Sequence, residues 1–336
     1  MATLLDDVIG IKLETTYNTP ATVDRFYPML DGTNGSWDPD IRQGQGITGG
    51  NGRHAAMASR RFLGIGQGVV TVMAELESKA GGVLFGAALG TTQVTAITGG
   101  SQQVFHDGIA GVVLPSYTIQ LVKVLNSGAT WVETYAGCTA TKVKIDQPQG
   151  GNPTIEVTFD ARSLSTATAA ATPTYSLGTL FDYSQASSVS LGGAFTAPTT
   201  TALAAVATPF ADVLSYTIDL DQAAALNRRV LGGRNQPIAG MPVGQFQAKI
   251  EFNATTVPAA FIAGTKLPFQ ATYTTTETLG AGFTQLQVAV PNLAITGKLP
   301  DVKPGEVRVI DFAADILWDG SNKDLYLTYR TTDTAA

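Results

Sequence analysis

Two histidines, His54 and His106, one cysteine, Cys138, and 27 acidic residues are the groups in this 336-residue sequence from which catalysis or metal binding would start. Gly44–Gln45–Gly46–Ile47–Thr48–Gly49 spells G-x-G-x-x-G. A dinucleotide site needs that spelling between a strand and a helix. Here it runs into a further loop, Gly50–Asn51–Gly52–Arg53, so no cofactor is expected. The histidines lie in no ligand-spaced motif, and no G-x-S-x-G elbow accompanies them. Asp38 and Asp40 around Pro39, and the Asp315/Asp319/Asp324 set, offer oxygen ligands of the kind calcium takes. Without EF-hand spacing they read as turn and capping residues. No metal site and no catalytic residue is expected, and the chain does not read as an enzyme. Cys138 reads as a small core residue. The pairs Arg60–Arg61 and Arg228–Arg229 suit interface ion pairs, because guanidinium pairs well with carboxylate at junctions.

Composition narrows the class. The chain is 44% hydrophobic and 14% charged, with a net charge of −6. The acidic balance argues against a nucleic-acid grip, which needs a basic footprint. One cysteine excludes an intrachain disulfide. The longest nearly apolar stretches, Ala80–Gly90 and Ala202–Phe210, fall short of the ~20 residues that span a bilayer. The N-terminus is acidic where a secretory signal would be basic, so the chain is expected to fold in a cytoplasm.

Two strands and one short helix recur in order. Gly68–Glu77 aligns with Gly244–Asn253, shortly after Arg60–Arg61 and Arg228–Arg229 respectively. Both segments alternate with period two, the pattern of a half-buried strand. Val70, Val72, Ala74 and Leu76 fall on one face of the first; Phe246, Ala248, Ile250 and Phe252 fall on the same face of the second. Helical stretches follow at Ser78–Leu89, closed by Gly90, and at Thr255–Ala263, closed by Gly264. Thr154–Ala161 and Glu306–Ala313 echo each other as closing strands. The fold class expected is mainly β with minor α: two copies of one domain, 24–164 and 177–331. A 1–23 arm, a 165–176 linker and a 332–336 tail complete the chain. Ala194–Pro209 reads as a loop inside the second copy.

One helix per copy covers one sheet face, on this reading. Sheet edges must also be managed, and the chain carries few charges to do so. Closure through a head-to-tail ring of subunits answers this; an ordinary two-domain β-sandwich with covered edges is the alternative.

The segments Gly10–Thr22 and Asp38–Ile47, followed by Arg60–Arg61, the Gly68 strand and the Ser78–Gly90 helix, resemble siphophage major tail tube proteins. Arg228–Gly232 and Gly244–Gly264 carry a looser likeness. The resemblance implies two tandem tube domains, each a curved antiparallel half-barrel with one packed helix. It further implies rings that stack into a conduit for viral DNA ejection. With the repeat, it suggests a ring trimer of pseudo-sixfold symmetry, a hexamer being the alternative. Val70, Val72, Leu76, Phe246, Ile250 and Phe252 would then form the sheet–helix core. Thr71, Glu75, Gln245, Gln247, Lys249 and Glu251 would line the lumen. Arg60, Arg61, Arg228 and Arg229 would lie at interfaces. Partners implied are further copies, a tape measure protein, tail terminator and tail tip proteins, and passing DNA, in a virion tail assembled in the host cytoplasm. Gln43–His54, residues 1–25 and residues 319–336 would join ring to ring. An inner tube of a contractile tail, and a β-rich adhesin or carbohydrate-binding virion protein, remain as other readings.

Overall fold

The computed structural model describes residues 7–44, 58–107, 113–253, 255–297 and 308–333. In the first half the strands are β1 (Val8–Leu13), β2 (Arg25–Tyr27), β3 (Asn34–Asp38), β4 (Ile41–Gln43), β5 (Arg61–Leu63) and β6 (Gln67–Glu75). Helix α1 (Gly81–Leu89) follows, then β7 (Gly90–Ile97), β8 (Gly100–Asp107), β9 (Tyr117–Val124), β10 (Thr130–Gln147), β11 (Thr154–Ala161) and β12 (Ser163–Ser165). The second half holds β13 (Ala186–Leu191), β14 (Phe195–Thr196), β15 (Ala205–Val206), β16 (Val213–Asp221), β17 (Arg229–Val230), β18 (Gly233–Arg234) and β19 (Val243–Glu251). Helix α2 (Thr256–Ala263) leads to β20 (Leu267–Leu279), β21 (Gly282–Thr296), β22 (Val309–Ile316) and β23 (Tyr326–Thr331).

The main sheet runs β3–β6–β11–β10–β16–β19–β22–β21, every neighbour antiparallel. The chain reaches it through two long strands that each serve two sheets. The first part of β10 pairs with β9 and β12, and its last part with β11 and β16. Between them Gly137 adopts φ 65, where an added Cβ would stand 2.7 Å from the Arg162 side chain. Only glycine allows that bend without strain. Likewise β21 pairs with β20 and β23 first and β22 last. The second layer is therefore β2–β1–β9–β10 in one half and β13–β20–β21–β23–β8–β7 in the other.

The two layers bury a common core. Tyr117 of β9 meets Phe159 of β11 at 6.3 Å between rings. Phe269 of β20 meets Phe246 of β19 at 4.8 Å and Tyr216 of β16 at 5.1 Å. The expectation that a single helix covers each sheet face is corrected here. A nine-residue helix is only ~13.5 Å long, and eight strands spaced ~4.8 Å apart are far wider. Strands of the second layer do most of the covering, and α1 plugs the remainder through Leu84 and Phe85, the latter edge-on to Phe105 and Tyr329. Both helices end on the expected glycines, Gly90 at φ 77 and Gly264 at φ 63.

The terminal segments read as joining arms are also corrected. Val8–Leu13 is β1, paired on both sides, with Ile9 and Ile11 fully buried. Tyr326–Thr331 is β23, flanked by β21 and β8. Their alternating apolar residues, Ile9/Ile11 and Leu327/Tyr329, are strand signals. The linker is tied down as well. Gln120 donates to the Ala169 carbonyl at 3.1 Å and accepts from the Ala171 amide at 2.8 Å.

Candidate assembly surface

Alternation along the main sheet sends one set of side chains into the core. Val70, Val72, Leu76, Phe246 and Ile250 are all buried; Phe252 lies past the end of β19 and is only half-buried against the core. The other set forms a polar face whose rows follow from register. One row crosses seven strands as Glu75, Thr154, Asp146, Thr217, Gln247, Ala313 and Thr296. The next holds Met73, Glu156, Lys144, Asp219, Gln245 and Asp315. A third begins Asn34, Thr71, Thr158, Lys142 and Asp221. Lys249 stands opposite Asp311, and Glu251 opposite Val309. All six residues expected to line a lumen thus share one face. Its acidic side chains outnumber Lys142, Lys144 and Lys249, and Lys142 is engaged by Asp219 at 2.9 Å.

The strand pairs β6–β11 and β19–β22 correspond. Gly68 stands opposite Ala161 and Gly244 opposite Ile316. Val157 therefore matches Phe312, and the sequence echo of Thr154–Ala161 with Glu306–Ala313 is three residues out of register. An odd slip exchanges the faces: it sets buried Phe159 against exposed Asp311, whereas its structural counterpart is buried Ala314.

The arginine pairs also occupy unlike places. Arg61 lies on the returning strand of the β4–β5 hairpin, and Arg229 on the outgoing strand of β17–β18. Arg60 ends a short 3-10 turn whose carbonyl accepts the Gly44 amide at 2.9 Å. Arg228 donates to the Gln236 carbonyl within its own hairpin, and Arg229 reaches Asp40 at 3.3 Å. The arginine that matters most inside the chain is Arg234, which was not singled out from sequence. It forms an ion pair with Asp160, both 2% exposed. Gln67 donates to the same carboxylate at 2.8 Å. Burial pushes the Asp160 carboxyl up, against the pull of Arg234, and raises the Tyr17 phenol beside them to about 12. The available signal was the third arginine after the Arg228–Arg229 pair, placed by the Leu231–Gly232 turn.

The described residues weighed for metal or catalysis make the following local contacts. Asp38 Oδ1 accepts the Asp40 amide at 2.9 Å. Asp319 accepts the Ser321 and Asn322 amides and is held far below the usual carboxylate range, first by the Asn322 side chain. Among the described residues no His/Cys/Asp/Glu group could hold a metal ion. His106 stacks edge-on to Tyr326 at 6.2 Å. Cys138 is fully buried, and burial raises its thiol. His54 and Gly46–Gly49 lie outside the described residues.

The sheet does not close on itself among the described residues. Among the described residues β3 pairs only with β6, so its other side meets no described strand. Beyond Leu293, where β20 stops, β21 is likewise unpaired on one side. Among the described residues the sheet thus has a dry face, a polar face and two edges without a strand partner. Residues 6–316 match the family model for phage tail tube proteins, and the chain belongs to that family. It is a structural subunit of a phage tail tube, and so a component of the virion tail that assembles with itself. No curated protein matches the chain. Among the described residues no helix is long and apolar enough to cross a membrane.

Proposed function

We propose that each chain supplies two tube units, 24–164 and 177–331, and that three chains close a pseudo-sixfold ring whose polar face lines the bore of a long, non-contractile tail. The observation that carries this is the β10–β16 pairing. It joins the long strand of the first half to the edge strand of the second, with Lys142 opposite Asp221. Translating each residue by the correspondence above, Lys142 becomes Thr296 and Asp221 becomes Asp38. Both lie on the open edges. The same pairing repeated between chains sets Thr296 of one copy opposite Asp38 of the next.

The stagger supports closure. Asn34 corresponds to Thr217, yet the row starting at Asn34 arrives at Asp221, four residues further. Four residues at ~3.3 Å over four strands at ~4.8 Å give a tilt of about 35°. Closed barrels tilt by roughly 35–45°. Six such units make a barrel of 24 strands, about 45 Å across its backbone by the same spacings. Thr71, Glu75, Gln245, Gln247, Lys249 and Glu251 then face the bore. A mostly acidic wall repels phosphate, so DNA passes during ejection without adhering. Tape measure, terminator and tip proteins are its expected partners, in a tail assembled in the host cytoplasm.

The test is a disulfide. Directly opposed antiparallel residues stand ~4.5–5.5 Å apart at Cα, within disulfide range. Asp38→Cys with Thr296→Cys should give a covalent three-chain band from oxidised tubes on a non-reducing gel. A six-chain band moves the ring to a hexamer, and tubes without any cross-link overturn the pairing.

A further inference from the structure

The second half grips the first through the segment between β16 and β19. Gln222 donates its amide to the Thr141 carbonyl at 2.9 Å and its side chain to the Ala88 carbonyl at the end of α1 at 3.1 Å. Ile238 bridges Val113, and Gln236 reaches the Leu114 carbonyl at 2.6 Å. At the centre of the grip the hairpin β17–β18 delivers Arg234 to Asp160 of β11, two strands away across β10.

The segment between β3 and β6 stands in the same topological place in the first half; among its described residues Asp40 meets Arg229 at 3.3 Å, but none makes a buried ion pair like that of Arg234 with Asp160. Its hairpin β4–β5 exposes Ile41, Phe62 and Leu63 by 49%, 57% and 70%. Arg61 on the returning strand is exposed, with no side-chain partner among the described residues. The matching target is equally bare. Asp160 stands opposite Val69 and Asp315 opposite Gln245, and these positions correspond. Asp315 is therefore the second half's Asp160, but it is exposed and has no side-chain partner among the described residues. Counting back from Gly90 and Gly264, Ile262 matches Ala88. Ala88 is 1% exposed under the grip, whereas Ile262 is 74% exposed.

We infer that the β4–β5 hairpin of one copy clasps the next copy at the end of β22 and α2, with Arg61 on Asp315 and the Ile41/Phe62/Leu63 patch toward Ile262. The inference rests on the ring reading above, which sets β3 of one chain beside β21 of its neighbour and so brings the hairpin within two strands of Asp315. Two unpaired apolar patches and two unpaired opposite charges are complementary, as the buried pair within the chain already is. The two grips are not identical. Pro39 stands where Gln222 stands and has no amide hydrogen to donate, so the ion pair and the apolar contact must carry this clasp.

Charge reversal tests it. Arg61→Asp and Asp315→Arg should each lower the assembled fraction at least tenfold in sedimentation. Their monomers should melt as wild type, because both side chains are exposed. The double variant should restore assembly. Single variants that assemble normally, or a double variant no better than the singles, overturn the clasp. The Asp38/Thr296 cross-link separates the two ideas. Cross-linked rings together with indifference to charge reversal sink the clasp alone, whereas absence of the cross-link from assembled tubes removes the ring and the clasp with it.

Discussion

Asp324 turns back beneath β8 and donates its amide to Asp107 Oδ1 at 2.9 Å, while its own Oδ1 is buried with no partner among the described residues. Burial first, and then the charge of Asp107, raise its carboxyl from 3.8 to about 6. The folded chain therefore holds this proton more tightly than the unfolded chain. The stability it contributes is complete below pH ~3.8 and drains away as pH rises to ~6. Asp324→Asn should raise the melting temperature at pH 7, by about 1 kcal/mol of stability after allowance for partial exposure. At pH 3.5 it should change nothing; an equal gain at both pH values refutes the assignment. At this scale the sequence was readable where alternation was strict, as at Val70, Val72, Phe246 and Ile250. It failed at Phe252, because periodicity cannot say where a strand stops, and at Arg234, because its partner is distant in sequence.

Elements tell a similar story with a different cause. The segment Ala194–Pro209, expected as a loop, instead carries the paired strands β14 and β15, and composition showed neither this pairing nor its attachment. Buried Gln287 accepts the Ala204 amide at 2.7 Å and donates to the Ala204 carbonyl at 3.1 Å, and Gln270 accepts the Val206 amide at 3.0 Å. Gln120 holds the linker by the same two-way contact. A glutamine carries both donor and acceptor, so it can stand in for a missing strand partner. Gln287→Ala leaves the Ala204 backbone unsatisfied and opens a cavity, at about 2–4 kcal/mol. Limited proteolysis should then cut within 194–209 many times faster; an unchanged cleavage rate would show that the loop is held otherwise. The strands at Gly68 and Gly244 and the helix stops at Gly90 and Gly264 were legible from alternation and glycine placement. The slip at the closing strand arose because Thr154–Ala161 and Glu306–Ala313 are alike in composition, and only hydrogen-bond register fixes their phase.

On the scale of the molecule, the ring reading predicts what the polar face does. Reversing Glu75 and Glu251 to Lys should leave tubes intact, since both lie on the open face and neither meets an edge. It should slow genome release severalfold by turning a repelling wall into an attracting one. Release at the wild-type rate takes these residues out of the bore. What no local pattern could reveal is how the halves interlock. Alternation marks a strand, but pairing partners far apart in the chain leave no signature in either segment.

That interlock bears on timing during synthesis. β8 takes β23 as its neighbour, and Arg330 Nε bonds Gln102 across 228 positions of chain at 2.8 Å. At roughly 5–20 residues per second, β8 waits some 10–45 s on the ribosome with one rim bare. A nascent chain is thus barred from completing its second layer until β23 has emerged, and a truncated product lacking that strand presents a sticky margin to chaperones and to its siblings alike.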